Sequence, residues 1–488
     1  MSLKVIKILS QYDSYIVGGA VRNYLIEKEI KDLDIVIETN EKDFLKIIKN
    51  LSKTQNIFPL DKERGIYRIN VLGDLTIDIS TIKDIESDII RRDFTVNALA
   101  IDIKKVKINI KKDSFNLKIK QKDIIDIVQG VKDIKGKRIK ALSEKSIEED
   151  PLRMLRAYRF FSVLDFKIDK ETEEFIKKHK NLISQSSPER IREEIVKILE
   201  TDKSAKVLSK MADTEILFEI FPELKLQIKC AEIYYGKGGV LKHTFNVIKR
   251  LDILFPDISK YLNLQSKLIE EVKKQKALIK MAALLHDIAK PHKAKYIKDR
   301  LRFFGHEEYG GVLAEKTLKN LRYSNNEIRY IKTVISNHLR IGNIAHNNII
   351  TKKAILRIFY DLKEFTLGLL ILSWADHSSY ISEKTLKINH NKTKEKPFEI
   401  KTKLPKAGYK KTLRFLQVVN MICKNYSKYR FVYDLKPLLN GNDIMKILAI
   451  PPSPKVGDII RKLINLQIEE KIKNKQEAVN YVKSLKNQ

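Results

Sequence analysis

Two periodicities divide the chain. Up to about residue 130, apolar positions come in short runs or alternate one-in-two with polar ones: Ile16 and Val17, then Leu33, Ile35 and Ile37, then "INVLGDLTIDIST" and "NALAIDI". That is the period of half-buried strands, with Val21 to Glu27 of helical character among them. From about Asp133 the strand signals nearly vanish. Apolar residues then recur at three and four positions, as in "DPLRMLRAYRFFSVL" and "PERIREEIVKIL", and glycines become sparse. The pattern predicts an α/β domain followed by all-α domains. The basic stretch "KKDSFNLKIKQKD" reads as a hairpin loop or insertion. Further junctions fall at "KCAEIYYGKGGV" and at the lysine-rich "HNKTKEKPFEIKTKLPKAGYKK". The expected boundaries are 1–132, 133–228, 229–400 and 401–488. The longest apolar run, "FTLGLLILSWA", is too short to cross a bilayer.

At 488 residues the chain exceeds one compact core and should hold about three or four domains. Lys and Arg number 95 against 62 Asp and Glu, a net charge of +33. Such an excess favours a polyanionic partner, most simply nucleic acid, bound in a salt-sensitive way. The plainer reading is a compositional bias, since Ile, Lys and Asn abound throughout. Cys230 and Cys423 are the only cysteines, which argues against a disulfide framework or a thiolate zinc cluster and fits a reducing cytoplasm. No N-terminal signal pattern and no membrane span is expected.

The candidate chemistry begins at "YIVGGAVRNYLIEKEIKDLDIVIE". In a strand, Asp32 and Asp34 point to one face, where two carboxylates repel unless a cation lies between them. A divalent metal answers that need. The Gly18–Gly19 turn ahead of a helix offers N–H groups to phosphate. Asp78, in "LTIDIST", supplies a third carboxylate if an antiparallel neighbour brings it alongside. Three carboxylates around two Mg²⁺ ions suit nucleotidyl transfer. In "RRDFTVNALAID", Arg91 and Arg92 offer planar forks for phosphate, and Asp93 and Asn97 can hydrogen-bond a sugar hydroxyl or each other. In "EEDPLRMLRAYRF", Arg153, Arg156 and Arg159 recur at helical spacing, with Asp150 one turn ahead. Taken singly, each has a bland reading: surface strand aspartates, and arginines in ion pairs.

Together "GGAVRN", "DLDIVI", "RRDFTVNALA", "EDPLRMLRAYRF" and "PERIREEI", over residues 10 to 225, resemble the class II tRNA nucleotidyltransferases and bacterial poly(A) polymerases of the DNA polymerase β superfamily. The resemblance implies a polymerase β-like nucleotidyltransferase head and a helical neck. It implies that Asp32 and Asp34 bind Mg²⁺, that Gly18, Gly19 and Arg22 belong to the nucleotide site, and that Arg91, Arg92 and Asp93 contact ribose and triphosphate. Glu149, Asp150 and Arg153 match the element whose Asp and Arg pair with the incoming base. Such polar groups penalise a base that leaves them unpaired. Asn23 stands where the family usually has an acid.

Further on, "LKHTFNV" (His243), "ALLHDIAKP" (His286, Asp287), "GHEEYGG" (His306), "SNHLRI" (His338) and "SWADHS" (Asp376, with His377 as neighbour) form an ordered series between helical spacers. One histidine on an apolar helix is more often core than ligand. The series resembles the HD phosphohydrolase superfamily. The ligands implied are His243, His286, Asp287 and Asp376, with His306 and His338 serving a second metal or the substrate phosphate. Mixed imidazole and carboxylate ligation suits Mn²⁺, Ni²⁺, Fe or Mg²⁺. Lys290, one turn past His286, is expected to meet a substrate phosphate. Residues 437 to 482 resemble the C-terminal helical element of HD-bearing relatives, and the basic tail is expected to bind RNA. The expected activity is addition of C and/or A to a tRNA 3′ end from CTP and ATP, with a separate phosphohydrolase centre. A poly(A) polymerase and a non-catalytic RNA-binding protein are the alternatives.

Overall fold

The computed structural model describes residues 2–62, 64–111, 113–400, 404–405 and 407–487. Its contacts group into two compact units, Met1–Glu194 with Lys210–Ile220, and Ile195–Ser209 with Phe221–Gln488, where the sequence suggests four segments.

The first unit is built on a seven-stranded sheet. Its strands are β1 (Ser14–Val17), β2 (Asp32–Glu38), β3 (Ile57–Asp61), β4 (Ile66–Leu72), β5 (Leu75–Ile82), β6 (Ala100–Asp102) and, after a hairpin of β7 (Lys107–Lys111) and β8 (Ser114–Lys118), β9 (Ile124–Ile125), in the order β3-β4-β5-β2-β1-β6-β9. The alternation read in β2 holds: Leu33, Ile35 and Ile37 are buried, whereas Asp32 and Asp34 are exposed. Asp78 does not arrive on an antiparallel neighbour. β2 and β5 run parallel, because the chain between them crosses over through the helix Glu41–Ser52 and the β3–β4 ribbon. The stretch "KKDSFNLKIKQKD" contributes a separate hairpin, β7 (Lys107–Lys111) with β8 (Ser114–Lys118); Lys112 lies outside the described residues. The helix Arg153–Leu164 buries Met154, Leu155, Tyr158 and Phe161, and the Tyr158 hydroxyl lies 2.6 Å from Thr214 Oγ1.

The second unit is helical. Its central helix, Thr366–Ser378, is buried almost all round, with Trp374 fully enclosed. That environment explains the run "FTLGLLILSWA", since a helix covered on every side has no polar face to show. Strand signals do not vanish entirely. Lys295–Ile297 pairs with Arg300–Arg302 in an exposed hairpin, which the apolar pattern misses because neither strand has a buried face. In the tail, the helices Gly441–Leu448, Pro454–Ile468 and Lys475–Ser484 pack around Ile444, Ile459, Leu463 and Val482. Parts of the lysine-rich junction, residues 401–403 and 406, lie outside the described residues. No helix among the described residues is long and apolar enough to cross a membrane.

Candidate active site and metal centre

Parallel pairing sets Asp34 opposite Asp78 and Asp32 opposite Thr76. The Thr76 hydroxyl donates to Asp32 at 2.6 Å. On the other side β4 pairs antiparallel with β5, which brings Arg68 level with Asp78. Its guanidinium donates to both carboxylate oxygens at 2.6 Å. Although its side chain reaches solvent, the Asp34 carboxyl is pushed up from its ordinary value, by desolvation first and by Asp78 next. A site that resists the charge of its own carboxylates is one a cation would relieve, and Asp78 already meets that need in part through Arg68.

Gly18 stands at the entry to the helix Gly19–Leu25 with φ 67, in the left-handed region. A Cβ there would lie 2.7 Å from the Arg92 guanidinium, so only glycine admits the arginine so close. Arg92 is also held by Asp88, at 2.6 and 2.8 Å, while Arg91 is exposed. Deeper in, Arg22 is buried, donates to Asn97 and Asn23, and lies over the Phe160 ring. Burial pushes its guanidinium down to about 10. Asn97 donates to Asp93 at 2.9 Å, and Arg156 donates to Asp93 at 2.8 and 2.6 Å. Asp93 therefore has both oxygens engaged within the protein: here it organises Arg156 and Asn97, and Asn97 organises Arg22.

The residues expected to read a base take separate partners. Arg153 donates to the carbonyls of Arg91 (2.6 Å), Arg92 and Ser146 (3.1 Å each), fastening its helix to the Arg91–Arg92 segment. Asp150 does not share that helix. It caps the preceding one, Glu144–Glu149, and pairs with Arg190 at 3.1 Å. Arg159 pairs with Glu194 at 2.6 Å. Sequence reasoning missed Arg68, Thr76, Arg190 and Glu194. The last two were legible in principle, as charges one turn apart in "PERIREEI".

In the second unit a different centre assembles from five helices or their ends. His243 lies on Gly239–Leu254, His286 and Asp287 follow Lys276–Leu285, and His306 begins His306–Asn320. His338 follows Asn325–Ser336, and Asp376 lies on Thr366–Ser378. Asp287 is the hub. Its oxygens lie 3.6 Å from His243, 3.1 Å from His286, 3.4 Å from His306 and 3.8 Å from His338, each measured to Nε2. Asp376 lies 3.2 Å from His243 Nε2. His286, His306 and His338 each direct Nδ1 to a backbone carbonyl, of Ala283, Phe303 and Ile335, at 2.7 to 2.8 Å. That arrangement fixes the rings with Nε2 turned inward. His243, His286 and His306 have a buried Nε2, and Asp376 a buried oxygen, with no hydrogen-bond partner. Buried polar atoms left so are costly unless something binds them, and the two triads His243–His286–Asp287 and Asp287–His306–His338 fit metal ions. Burial, then His286, pushes the His338 imidazole down to about 3, keeping it in the neutral form that ligates metal. Lys290 points not into open space but at Asp287, 2.6 Å away, and at the Tyr235 hydroxyl, 2.9 Å away. His377 packs instead against Phe415, the rings tilted with centroids 4.2 Å apart.

Three family profiles match the chain: the poly A polymerase head domain at residues 14–140, the "probable RNA and SrmB- binding site of polymerase A" at 165–228, and the HD domain at 240–381. The CC-adding tRNA nucleotidyltransferase of Thermus thermophilus is 26% identical over 482 residues, covering 96% of this chain and 92% of that protein. The A-adding tRNA nucleotidyltransferase of Deinococcus radiodurans is 23% identical over 433 residues, covering 87% and 85%. Among solved structures, a CCA-adding enzyme in complex with ATP shares the fold at a TM-score of 0.60 with 19% identity, over 100% of this chain and 94% of that one. The Thermotoga maritima CCA-adding enzyme complexed with tRNA shares it at 0.58 with 19% identity, over 99% and 95%.

Proposed function

Because the chain belongs to the family of tRNA nucleotidyltransferases and poly(A) polymerases, with a C-terminal HD domain, we propose that it adds C and/or A to the 3′ end of tRNA from CTP and ATP. The observation that carries the reading is the carboxylate edge Asp32, Asp34 and Asp78 beside the Arg22–Asn97–Asp93–Arg156 network. Asp32 and Asp34 would hold Mg²⁺, with Asp78 beside them. Bound there, Mg²⁺ supplies a lowered pKa for the attacking 3′-hydroxyl and charge compensation for the triphosphate.

The remaining work falls to the protein. Arg91 and Arg92 present cations to the triphosphate at the Gly18 turn, and Arg22 is held rigid for the same anion. Asp150 and Arg153 read the base, as the family resemblance suggests. Arg190 steadies Asp150, and the three carbonyls fasten Arg153. The test supplies tRNA transcripts lacking CCA, ending in C or CC, or complete, plus an unrelated RNA, with each NTP separately. CTP or ATP incorporation confined to the matching tRNA ends supports the reading. Unlimited A addition to any RNA indicates a poly(A) polymerase, and no incorporation at all indicates a non-catalytic RNA-binding protein.

A second activity is favoured by the orphaned imidazole and carboxylate atoms around Asp287. The HD centre, holding Mg²⁺ or a divalent transition metal, would hydrolyse phosphate monoesters or 2′,3′-cyclic phosphates. Damaged RNA ends need that reaction before a nucleotide can be added. Burial opposes the charge on Asp287, and His286 first and Lys290 next hold it ionised, with Lys290 engaged at 2.6 Å. Assays with 2′,3′-cyclic nucleotides across Ni²⁺, Mn²⁺, Mg²⁺ and chelator test it. No hydrolysis with any metal overturns it.

A further inference from the structure

Between Lys290 and His306 the chain forms a hairpin that neither activity uses. Lys295 pairs with Arg302, Tyr296 with Leu301 and Ile297 with Arg300, and Lys298 and Asp299, with φ 46 and 57, make the two-residue turn. Tyr296 is 70% exposed and Phe304, just past the second strand, 74%. Ile297 is exposed too. Single exposed apolar side chains are ordinary, but a concentration in one short stretch marks a surface that binds something.

The charges point the same way. Lys295 stands directly across from Arg302, and like charges so placed repel. Among the described residues, no salt bridge engages Lys295, Lys298, Arg300 or Arg302. Two strands alone are marginal in water, so the hairpin carries a repulsion that a polyanion would relieve.

The hairpin also adjoins the metal centre. The Tyr234 hydroxyl donates to the Leu301 carbonyl at 3.2 Å. The next residue, Tyr235, stacks on His243 with centroids 4.8 Å apart. At the other end, the Phe303 carbonyl accepts from His306.

We propose that the hairpin and Phe304 are a platform for single-stranded RNA. Bases stack on Tyr296 and Phe304, Lys295, Arg300 and Arg302 follow the phosphates, and the RNA terminus is handed to the Asp287 centre. The substrate class is therefore a polynucleotide end rather than a free mononucleotide. Exposed rings among uncompensated cations are the chemistry by which proteins hold single strands without reading sequence. The proposal rests on the phosphohydrolase reading of the centre.

The test uses the full chain and a 12-nucleotide RNA that contains 4-thiouridine and ends in a 2′,3′-cyclic phosphate. Photocrosslinks should map to residues 295–304. The Tyr296→Ala/Phe304→Ala double variant should raise KM for hydrolysis of this RNA roughly 30-fold, the loss expected for two stacked bases. Its kinetics on 2′,3′-cyclic AMP and its nucleotide addition should be unchanged. Arg300→Ser/Arg302→Ser should do the same with a flatter salt dependence. Crosslinks only elsewhere, or equal losses on RNA and on cyclic AMP, overturn the platform. Crosslinks at the hairpin without hydrolysis of either substrate keep the platform and overturn the hydrolase reading. Hairpin-dependent flotation with phosphatidylglycerol vesicles in the absence of crosslinks overturns it in favour of a membrane surface.

Discussion

Replacing Asp93 with asparagine keeps its shape and removes its charge, which isolates what the carboxylate does. Asp93 is buried and accepts four hydrogen bonds, from Phe94 N, Asn97 Nδ2 and twice from Arg156. An amide can keep one oxygen for Phe94 and Asn97, but its NH₂ then faces the Arg156 donors. Two charge-assisted bonds are lost, each worth about 1.5–3 kcal/mol. The Arg156 side chain is 35% exposed and can recover part of that from water, so the low end applies, about 3 kcal/mol. For a unit of roughly 200 residues this lowers the melting temperature by about 6–12 °C.

The pH dependence follows from the same contacts. Burial opposes ionisation, yet Arg156 and Asn97 hold the Asp93 carboxyl below its ordinary value. Its stabilisation is therefore complete above the unfolded-state pKa, about 3.9, and is lost as pH falls through the folded value. Thermal melts of wild type and Asp93→Asn, from pH 7 to pH 3, measure the difference. A gap under about 2 °C at pH 7, or one that stays constant down to pH 3, refutes the reasoning.

Asp32→Ala and Asp34→Ala should each abolish nucleotide addition while leaving tRNA binding by gel shift largely intact, because affinity comes from distributed cations. Asp150→Ala should blur discrimination of CTP and ATP from GTP and UTP in single-nucleotide incorporation, and Arg190→Ala should do so more weakly by releasing Asp150. His286→Ala with Asp287→Ala should remove metal from the second unit, read by mass spectrometry of the native protein, and spare nucleotide addition. Lys280 is fully buried against Asp252, and desolvation pushes its ammonium down to about 8. The unfolded chain therefore holds that proton more tightly, and stability gains a contribution as pH rises from 8 to 10 that urea titrations of Lys280→Met should lack.

What the sequence made legible was whatever has a period or a fixed local order. The alternation at the start of β2 reports a strand end with one wet face, before Val36 turns that face inward, so the spacing of Asp32 and Asp34 was enough to locate them. The histidine series kept its order through five helices. Pairings set by topology were not legible. Whether β5 meets β2 parallel or antiparallel depends on the crossover, and Arg68 reaches Asp78 only because β4 follows. Asp150 looked like part of the Arg153 helix because spacing alone cannot show that Pro151 and Leu152 separate two helices. The 295–302 hairpin escaped because it has no buried side to impress on its composition.

The parallel register of β2 and β5 also ties catalytic competence to folding itself. Slipping β2 by one residue would turn up to two of Leu33, Ile35 and Ile37 out to water and drive Asp32 and Asp34 inward. The aliphatic exposure alone costs about 3–6 kcal/mol, a large share of the whole stability of a domain. A folded but misaligned active edge is thus almost never populated. A newly made chain is either unfolded, and open to proteolysis, or has its carboxylates in place, so quality control that senses only exposed apolar surface also removes molecules that could not catalyse.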